Sequence, residues 1–321
     1  MKAIRLLAAI TTTFLATAAM AQDTYPSRPV SIIVPYPPGG ATDVLARVIA
    51  EKLGTALGQT FIVENKAGAG GNLGARAAAQ AKPDGYTLLM AATTAHSISM
   101  TLTPQTAQYN IEKDFDPITM VGSVPLIVVV NPKLPVNNLK EFIALAKAKP
   151  DSITVASAGN GTTQHLGSEL FKLMTQTKMI HVPYKGSGPA VTDVMGGQVD
   201  ATFETGPAAL TQINAGRLKA LATATKERML PNTPTAAEAG LPGFEVAATY
   251  GLVAPAGTPK AIVARLNAEV GKILKMPDVR TKFDQQGVIP TYTTPEQTTQ
   301  HIHGEVEKWA KVIKAANVKA D

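Results

Sequence analysis

A proline- and glycine-rich turn is the clearest sign of chemistry in the sequence. Residues 35–40 read Pro-Tyr-Pro-Pro-Gly-Gly, which can continue neither a strand nor a helix. The apolar run Val30–Val34 before the turn predicts a strand buried on both faces. After the turn, apolar residues recur at every fourth position, as in an amphipathic helix: Leu45, Ile49, Leu53 and Leu57. Such a turn aims free N–H groups and a helix dipole at one point, which suits an anion; a plain strand-to-helix turn is the alternative.

A second turn of the same kind lies in the middle of the chain. The apolar residues of Ile153–Ser157 predict a strand, residues 158–163 read Ala-Gly-Asn-Gly-Thr-Thr, and a helix is predicted over Thr163–Thr175. Neither turn contains lysine or arginine. Backbone N–H groups and helix dipoles would therefore provide most of the binding, and a carboxylate suits such charge-assisted hydrogen bonds.

Residues near the two turns have both a functional and a structural interpretation. Asp43 or Thr42 could cap the first helix, and Asp43 could instead accept a hydrogen bond from a ligand. Tyr36 and Phe203 stand at strand ends and could form apolar walls of a pocket, with core packing equally possible. His96 could meet a second carboxylate or make a simple loop hydrogen bond.

Motifs of enzymes and cofactor-binding proteins are weak or missing. In Gly68–Gly74, Leu73 replaces the third glycine of a dinucleotide fingerprint, and no acidic residue follows the next strand. The sequence has no G-x-S-x-G motif, and Ser187 has no evident base beside it. His301 and His303 are two apart on a predicted helix and would point to different faces. We therefore expect no catalytic residue, no metal and no cofactor.

Composition and the N-terminal residues indicate an exported protein. The 321-residue chain contains no cysteine and has a formal net charge of +6, with its basic residues scattered. Such scattering favours a solvated surface over nucleic-acid binding. Lys2 and Arg5 precede an apolar run that ends in Ala19-Met20-Ala21. This pattern is typical of a signal peptide over residues 1–21, cleaved after Ala21, and predicts a periplasmic protein.

The remaining pattern predicts two α/β domains. Each half has a strand feeding a glycine-rich helix start, a second strand, a short helix and a third strand that ends in a polar loop. Those third strands lie in residues 86–95 and 199–208. We predict that residues 22–122 and 226–321 form domain 1 and residues 123–225 form domain 2, with a hinge near Gly122 and Ala222. Ligands of such sheets bind beyond the carboxyl ends of the strands, which puts both turns on one cleft.

Five segments resemble one known family and cover nearly the whole chain after the signal peptide. They are YPSRPVSIIVPYPPGGATDVLAR, DGYTLLMAATT, YKGSGPAVTDVMGGQVDATF, PNTPTAAEAGLPGFE and GLVAPAGTPKAIVARLNAE. The chain resembles the Bug receptors, the extracytoplasmic solute-binding components of tripartite tricarboxylate transporters. The resemblance implies a type II periplasmic-binding fold with two domains that close on a ligand, and no catalysis. One departure is Tyr250, where relatives commonly have tryptophan.

The resemblance also implies a ligand site. In the family, the two turns hold a carboxylate through backbone N–H groups, hydroxyls and ordered waters. The matching positions on the first turn are Pro38, Gly39, Gly40, Thr42 and Asp43. Those on the second turn are Ala158, Gly159, Asn160, Gly161, Thr162 and Thr163, and a third edge is formed by Thr93, Thr94 and His96.

The expected function is capture of a small organic carboxylate for a membrane transporter. The ligand would be a di- or tricarboxylate, an acidic amino acid or an aromatic carboxylate. The expected partners are the large and small integral-membrane subunits of the transporter, and the receptor itself would be a monomer. A sensor that docks on a histidine kinase is the alternative, since it would need the same cleft.

Overall fold

The computed structural model describes residues 25–226 and 228–319. The predicted signal peptide and its cleavage after Ala21 lie outside these residues. In the described ranges, no helix is both long and apolar enough to cross a membrane.

Strands and helices alternate along most of the described chain. In chain order the strands are β1 (Val30–Val34), β2 (Phe61–Asn65), β3 (Thr87–Ala92), β4 (Phe115–Val130), β5 (Thr154–Ser157), β6 (Ile180–Pro183), β7 (Ala201–Thr205), β8 (Lys219–Thr223), β9 (Ala247–Pro255) and β10 (Ile289–Pro290). The helices are α1 (Ala41–Leu57), α2 (Asn72–Ala79), α3 (Thr93–Leu102), α4 (Pro104–Ala107), α5 (Leu139–Ala148), α6 (Thr163–Thr175), α7 (Ser187–Gly196), α8 (Gly206–Asn214), α9 (Lys260–Ile273), α10 (Pro277–Gln285) and α11 (Pro295–Ala316).

The strands form two sheets that share β4. The first sheet has the order β2-β1-β3-β9-β4, and the second has the order β4-β7-β5-β6. Residues 115–125 of β4 pair with β9, whereas residues 126–130 pair with β7 and β8. A single 16-residue strand therefore runs from one sheet into the other.

Each sheet is covered on both faces, as the apolar strand runs predict. In β1, Ile32 belongs to a core beneath α1 and α9, and its neighbour Ile33 belongs to a core beneath α2. Both side chains are at most 1% exposed. Successive strand residues point to opposite faces, so an uninterrupted apolar run needs packing on two sides.

The connection between β8 and β9 packs with the second sheet. Ala236, Leu241 and Phe244 lie in the core that contains the second-sheet residue Phe203. Helix α11 contacts both halves, with Ile302 in a core of the first sheet and Trp309 in that of the second.

Two expected polar loops are helices instead. Residues after β3 and after β7 were predicted to be loops because they begin with small polar residues. They form the first turns of α3 and α8. Helix starts favour such residues because the first N–H groups need acceptors, so a polar start alone does not distinguish a loop from a helix. Helix α10 and strand β10 were not predicted either.

Candidate functional site

A cavity of about 830 Å³ lies between the two sheets, and six of the described helices with eight or more residues begin at its wall. Each contributes a residue at or near its first turn: Gly40, Asn72, Thr94, Thr163, Ser187 and Thr205. The first N–H groups of a helix have no partner within it and carry the positive end of its dipole. No lysine, arginine, aspartate or glutamate occurs among the described residues of the lining. The cavity is therefore rich in neutral hydrogen-bond donors.

The side chain of Asp43, in the first turn of α1, holds the first glycine-rich turn in place. Gly39 has a φ of +91°, and its N–H donates to Asp43 Oδ2 at 3.0 Å. Arg47 Nε and Asn65 Nδ2 also donate to this carboxylate, each at 2.9 Å. Burial would raise the pKa of Asp43, but these hydrogen bonds lower it below its usual value. The N-cap of α1 is Gly40, not Thr42 or Asp43 as the sequence suggested, and Asp43 holds the turn from inside the helix.

The second glycine-rich turn is also held by its own helix. Thr162 caps α6: its hydroxyl accepts from the His165 N–H and donates to the Gly159 carbonyl at 2.7 Å. The Gly161 N–H donates to His165 Nδ1 at 3.2 Å. The His165 ring stacks on His181 with centroids 3.8 Å apart, and His181 Nε2 lies 2.6 Å from Ser157 Oγ. Both imidazoles thus support the turn from its outer side.

The third edge of the cavity rests on α11. Thr94 Oγ1 donates to Glu305 Oε2 at 2.7 Å, and Trp309 Nε1 donates to the same oxygen at 2.9 Å. Thr249 Oγ1 lies 2.7 Å from Thr94 Oγ1 and 2.6 Å from Thr93 Oγ1. Thr94 and Thr249 line the cavity, whereas Thr93 is completely buried behind them.

Two tyrosines form the aromatic part of the lining. Tyr36 and Tyr250 both face the cavity, and burial raises the pKa of each phenol. Tyr36 donates to the Gly70 carbonyl at 3.2 Å. His96 lies behind Tyr36 with parallel rings 6.5 Å apart. Tyr250, where relatives of the expected kind commonly have tryptophan, therefore does reach the cleft.

Most of the site residues inferred from sequence lie around this cavity. Those that line it are Tyr36, Pro38, Gly39, Gly40, Thr42, Thr94, Ala158, Asn160, Gly161, Thr162 and Thr163. Those outside the lining are Asp43, Thr93, His96, Gly159 and Phe203. Phe203 is fully buried between Phe171 and Phe244, with ring centroids 5.1 and 6.0 Å away. Of the two possibilities for Phe203, a cavity wall or core packing, the structure shows core packing.

Several lining residues are not among those that the sequence predicts. Gln164, Ser187, Thr205 and Pro207 come from the starts of α6, α7 and α8. The sequence carries a sign of both helix starts: Gly-Ser-Gly-Pro spans the N-cap and first turn of α7, Thr-Gly-Pro spans those of α8, and Pro is favoured in the first helical turn. The start of α8 is missed because the sequence predicts a loop after β7.

The histidine behind Tyr36 makes the free energy of unfolding depend on pH. Burial lowers the pKa of His96 to about 4, and its side chain is fully buried. Because the folded pKa lies below the unfolded value of about 6.5, its stabilising contribution is complete above pH 6.5 and declines as the pH falls towards 4. Between pH 7 and pH 5, His96 should reduce the free energy of unfolding by about 2 kcal/mol.

Urea denaturation at the two pH values measures this effect. The variant His96→Leu, of similar volume and uncharged, should lose about 2 kcal/mol less than the parent over the same interval. His181, whose pKa is also lowered to about 4 by burial, is present in both proteins and cancels in the comparison. If the free energy of unfolding of parent and variant depends equally on pH, His96 does not cause the pH dependence.

Similarity to known proteins agrees with this geometry. Residues 45–318 match the family described as tripartite tricarboxylate transporter family receptor, TctC. The chain is 43% identical to Protein BugT of Bordetella pertussis across 99% of both chains. The structure of R. palustris Rpa4515 with adipate superimposes with a TM-score of 0.82 at 35% identity, covering 92% of this chain and 99% of that one. The structure of MatC from Rhodopseudomonas palustris with bound malate gives 0.78 at 36% identity, covering 90% and 100%.

These matches confirm the predicted fold class, two α/β lobes of the periplasmic-binding type with a cleft between them. They also confirm the resemblance to the Bug receptors on which the site residues were carried over. The family model and the identity to BugT each extend over most of the chain. The chain therefore belongs to the tripartite tricarboxylate transporter receptor family.

Proposed function

We propose that this protein binds a small organic carboxylate in the cavity between its two lobes and delivers it to a tripartite transporter in the membrane. The observation that carries the proposal is the lining, in which six helix starts surround a space without a charged side chain among its described residues. Neutral donors of this kind suit an anion that must be released again. Two structural neighbours, one with adipate and one with bound malate, support the choice of ligand class.

The carboxylate lies between the two glycine-rich turns. Gly40 and Thr42 border the cavity on one side, and Asn160, Gly161 and Thr163 border it on the other. A ligand that bridges them interacts with both lobes at once, so binding favours the form in which the lobes are close. The sequence-derived site residues that line the cavity remain the proposed contacts.

Closure pivots on the strands that join the sheets. β4 passes from the first sheet to the second after Pro125, near the predicted crossing at Gly122. We place the second crossing, where the chain passes from the second lobe back to the first, at the start of β9, near Ala247, rather than near Ala222. Ala222 pairs with Val128 inside the second sheet, and the connection up to Val246 packs in the second core.

Membership of the family supports the proposed location and partners. The protein acts in the periplasm after removal of residues 1–21, as a monomer, and hands its ligand to the large and small membrane subunits. It performs no chemistry on the ligand. Loss of uptake on deletion of the gene supports this role, whereas lost induction with normal uptake would indicate docking on a sensor kinase.

A thermal-shift screen of carboxylates tests the proposal. Protein from which copurified ligand has been removed by unfolding and refolding is mixed with di- and tricarboxylates, acidic amino acids and aromatic carboxylates. A ligand at one hundred times its Kd stabilises the fold by about 2.7 kcal/mol, which raises the melting temperature measurably. If no carboxylate at millimolar concentration shifts the melting curve, the proposed function is wrong.

A further inference from the structure

A buried glutamate lies beneath the second-lobe wall of the cavity. Glu204 follows Phe203 in β7 and is completely buried. Its Oε1 atom accepts from Gln164 Nε2 and Ser187 Oγ, both at 3.0 Å. It also accepts from the Thr205 N–H at 2.8 Å and from Thr205 Oγ1 at 3.1 Å. These three partners stand at the starts of three different helices and all line the cavity.

The direction of these hydrogen bonds is fixed by the donors. A backbone N–H and an amide nitrogen can only donate, so Glu204 Oε1 must accept from Thr205 and from Gln164. A proton on the carboxyl would have to sit on the other oxygen, Oε2. Oε1 is thus an acceptor in both protonation states.

This arrangement uses up the donors of the three wall side chains. The second hydrogen of Gln164 Nε2 goes to Ser187 Oγ at 3.3 Å, and the single hydroxyl hydrogens of Ser187 and Thr205 go to Glu204. Gln164 Oε1 and the remaining lone pairs of the two hydroxyls are left over. Because the three residues line the cavity and are half-buried, their side chains offer the ligand acceptors only, beside the backbone N–H groups of the helix starts.

We propose that Glu204 determines specificity, by making the side chains of Gln164, Ser187 and Thr205 acceptors, so that the ligand is a carboxylate that also carries a hydrogen-bond donor. This inference rests on the proposed function and narrows it. The carboxylate binds at the glycine-rich turns, and a hydroxyl or amino group of the same molecule faces the wall. A ligand without such a donor leaves buried acceptors unpaired, which a site built for hydrogen bonding strongly disfavours.

Matched ligand series test the proposal by calorimetry. The series are succinate, malate and aspartate; glutarate, 2-hydroxyglutarate and glutamate; and phenylpropionate, phenyllactate and phenylalanine. In the series that binds, the hydroxyl or amino member should bind at least about tenfold more tightly than the unsubstituted acid. The ratio between the hydroxyl and amino members shows which donor the wall accepts. Equal or tighter binding of the unsubstituted acid would overturn the inference while leaving the proposed function intact. If no series binds and no carboxylate shifts the melting curve in the thermal-shift screen, both are wrong.

Two variants of Glu204 separate positioning from a merely structural role. Glu204→Gln keeps an acceptor oxygen and should keep the preference for the donor-bearing ligand. Glu204→Met removes the acceptor, frees the hydroxyls of Ser187 and Thr205 to donate, and should reduce the preference to about one. Circular dichroism verifies the fold of each. If Glu204→Met does not fold, Ser187→Ala removes one wall acceptor and should lower the preference about fivefold. An unchanged preference in the folded variants would show that Glu204 does not set specificity.

Discussion

Gly40→Val should weaken carboxylate binding about 10- to 100-fold while leaving the fold intact. Gly40 borders the cavity, and a Cβ built there meets no other atom within 4 Å. Its backbone, with φ of −81° and ψ of 171°, is open to valine. The branched side chain would therefore occupy space that the ligand needs, and overpacking of this kind costs about 1–3 kcal/mol. Titration calorimetry with a carboxylate from the thermal-shift screen measures the loss.

A matched substitution identifies the cause. Gly304 lies in α11, and a Cβ there also meets nothing within 4 Å. Gly304→Val should bind as tightly as the parent. Valine is a poor N-cap for α1, so Gly40→Val can lower the free energy of unfolding by about 1 kcal/mol. The urea midpoint of this variant is therefore measured as well. Normal folding with parental affinity in Gly40→Val would show that the ligand does not approach the first glycine-rich turn.

Gly74→Ala should destabilise the protein by about 3 kcal/mol. A Cβ at Gly74 would lie 2.7 Å from the Lys66 carbonyl oxygen and 2.8 Å from Pro35 Cα. Both contacts are to backbone atoms at the ends of strands, which cannot rotate away, so α2 would have to move off the first sheet. The midpoint of urea unfolding, with the slope unchanged, measures the effect.

Gly304→Ala is the control for this prediction. It makes the same change in an open helical position and should stabilise the protein by up to about 1 kcal/mol, because alanine is the better helix former. A stable Gly74→Ala variant would mean that α2 and the strand ends are not in close contact. The close approach to the strand ends would then no longer explain why residue 74, the last in the segment Gly68–Gly74, is a glycine.

The elements around the first turn could be predicted because their determinants are local. The apolar run of β1, the prolines and glycines after it, and the helical spacing of Leu45 and Ile49 are all visible within 25 residues. The limits of α6 agree with the predicted helix to the residue, since it begins directly after the threonine cap Thr162 and ends where its apolar period ends.

Other features depend on contacts between distant residues. Nothing near Phe203 distinguishes a cavity wall from a core position; that is decided by Phe171 and Phe244, which lie 32 and 41 residues away. Glu204 could not be recognised for the same reason, because its partner Gln164 belongs to another helix start. The helices α3 and α8 were missed for a local reason: small polar residues suit a helix start as well as a loop.

The neutral lining of the cavity has a consequence for the medium in which the receptor works. A site that holds an anion with lysine or arginine loses affinity as dissolved ions screen the attraction, with a screening length of about 8 Å at physiological ionic strength. In this cavity no cationic side chain occurs among the described lining residues, and short hydrogen bonds from the helix starts to the proposed anion would be shielded from mobile ions. The affinity of the receptor should therefore change little between dilute and concentrated salt, whereas the net charge of +4 that remains without residues 1–21 (28 basic and 24 acidic residues) affects how fast an anion arrives.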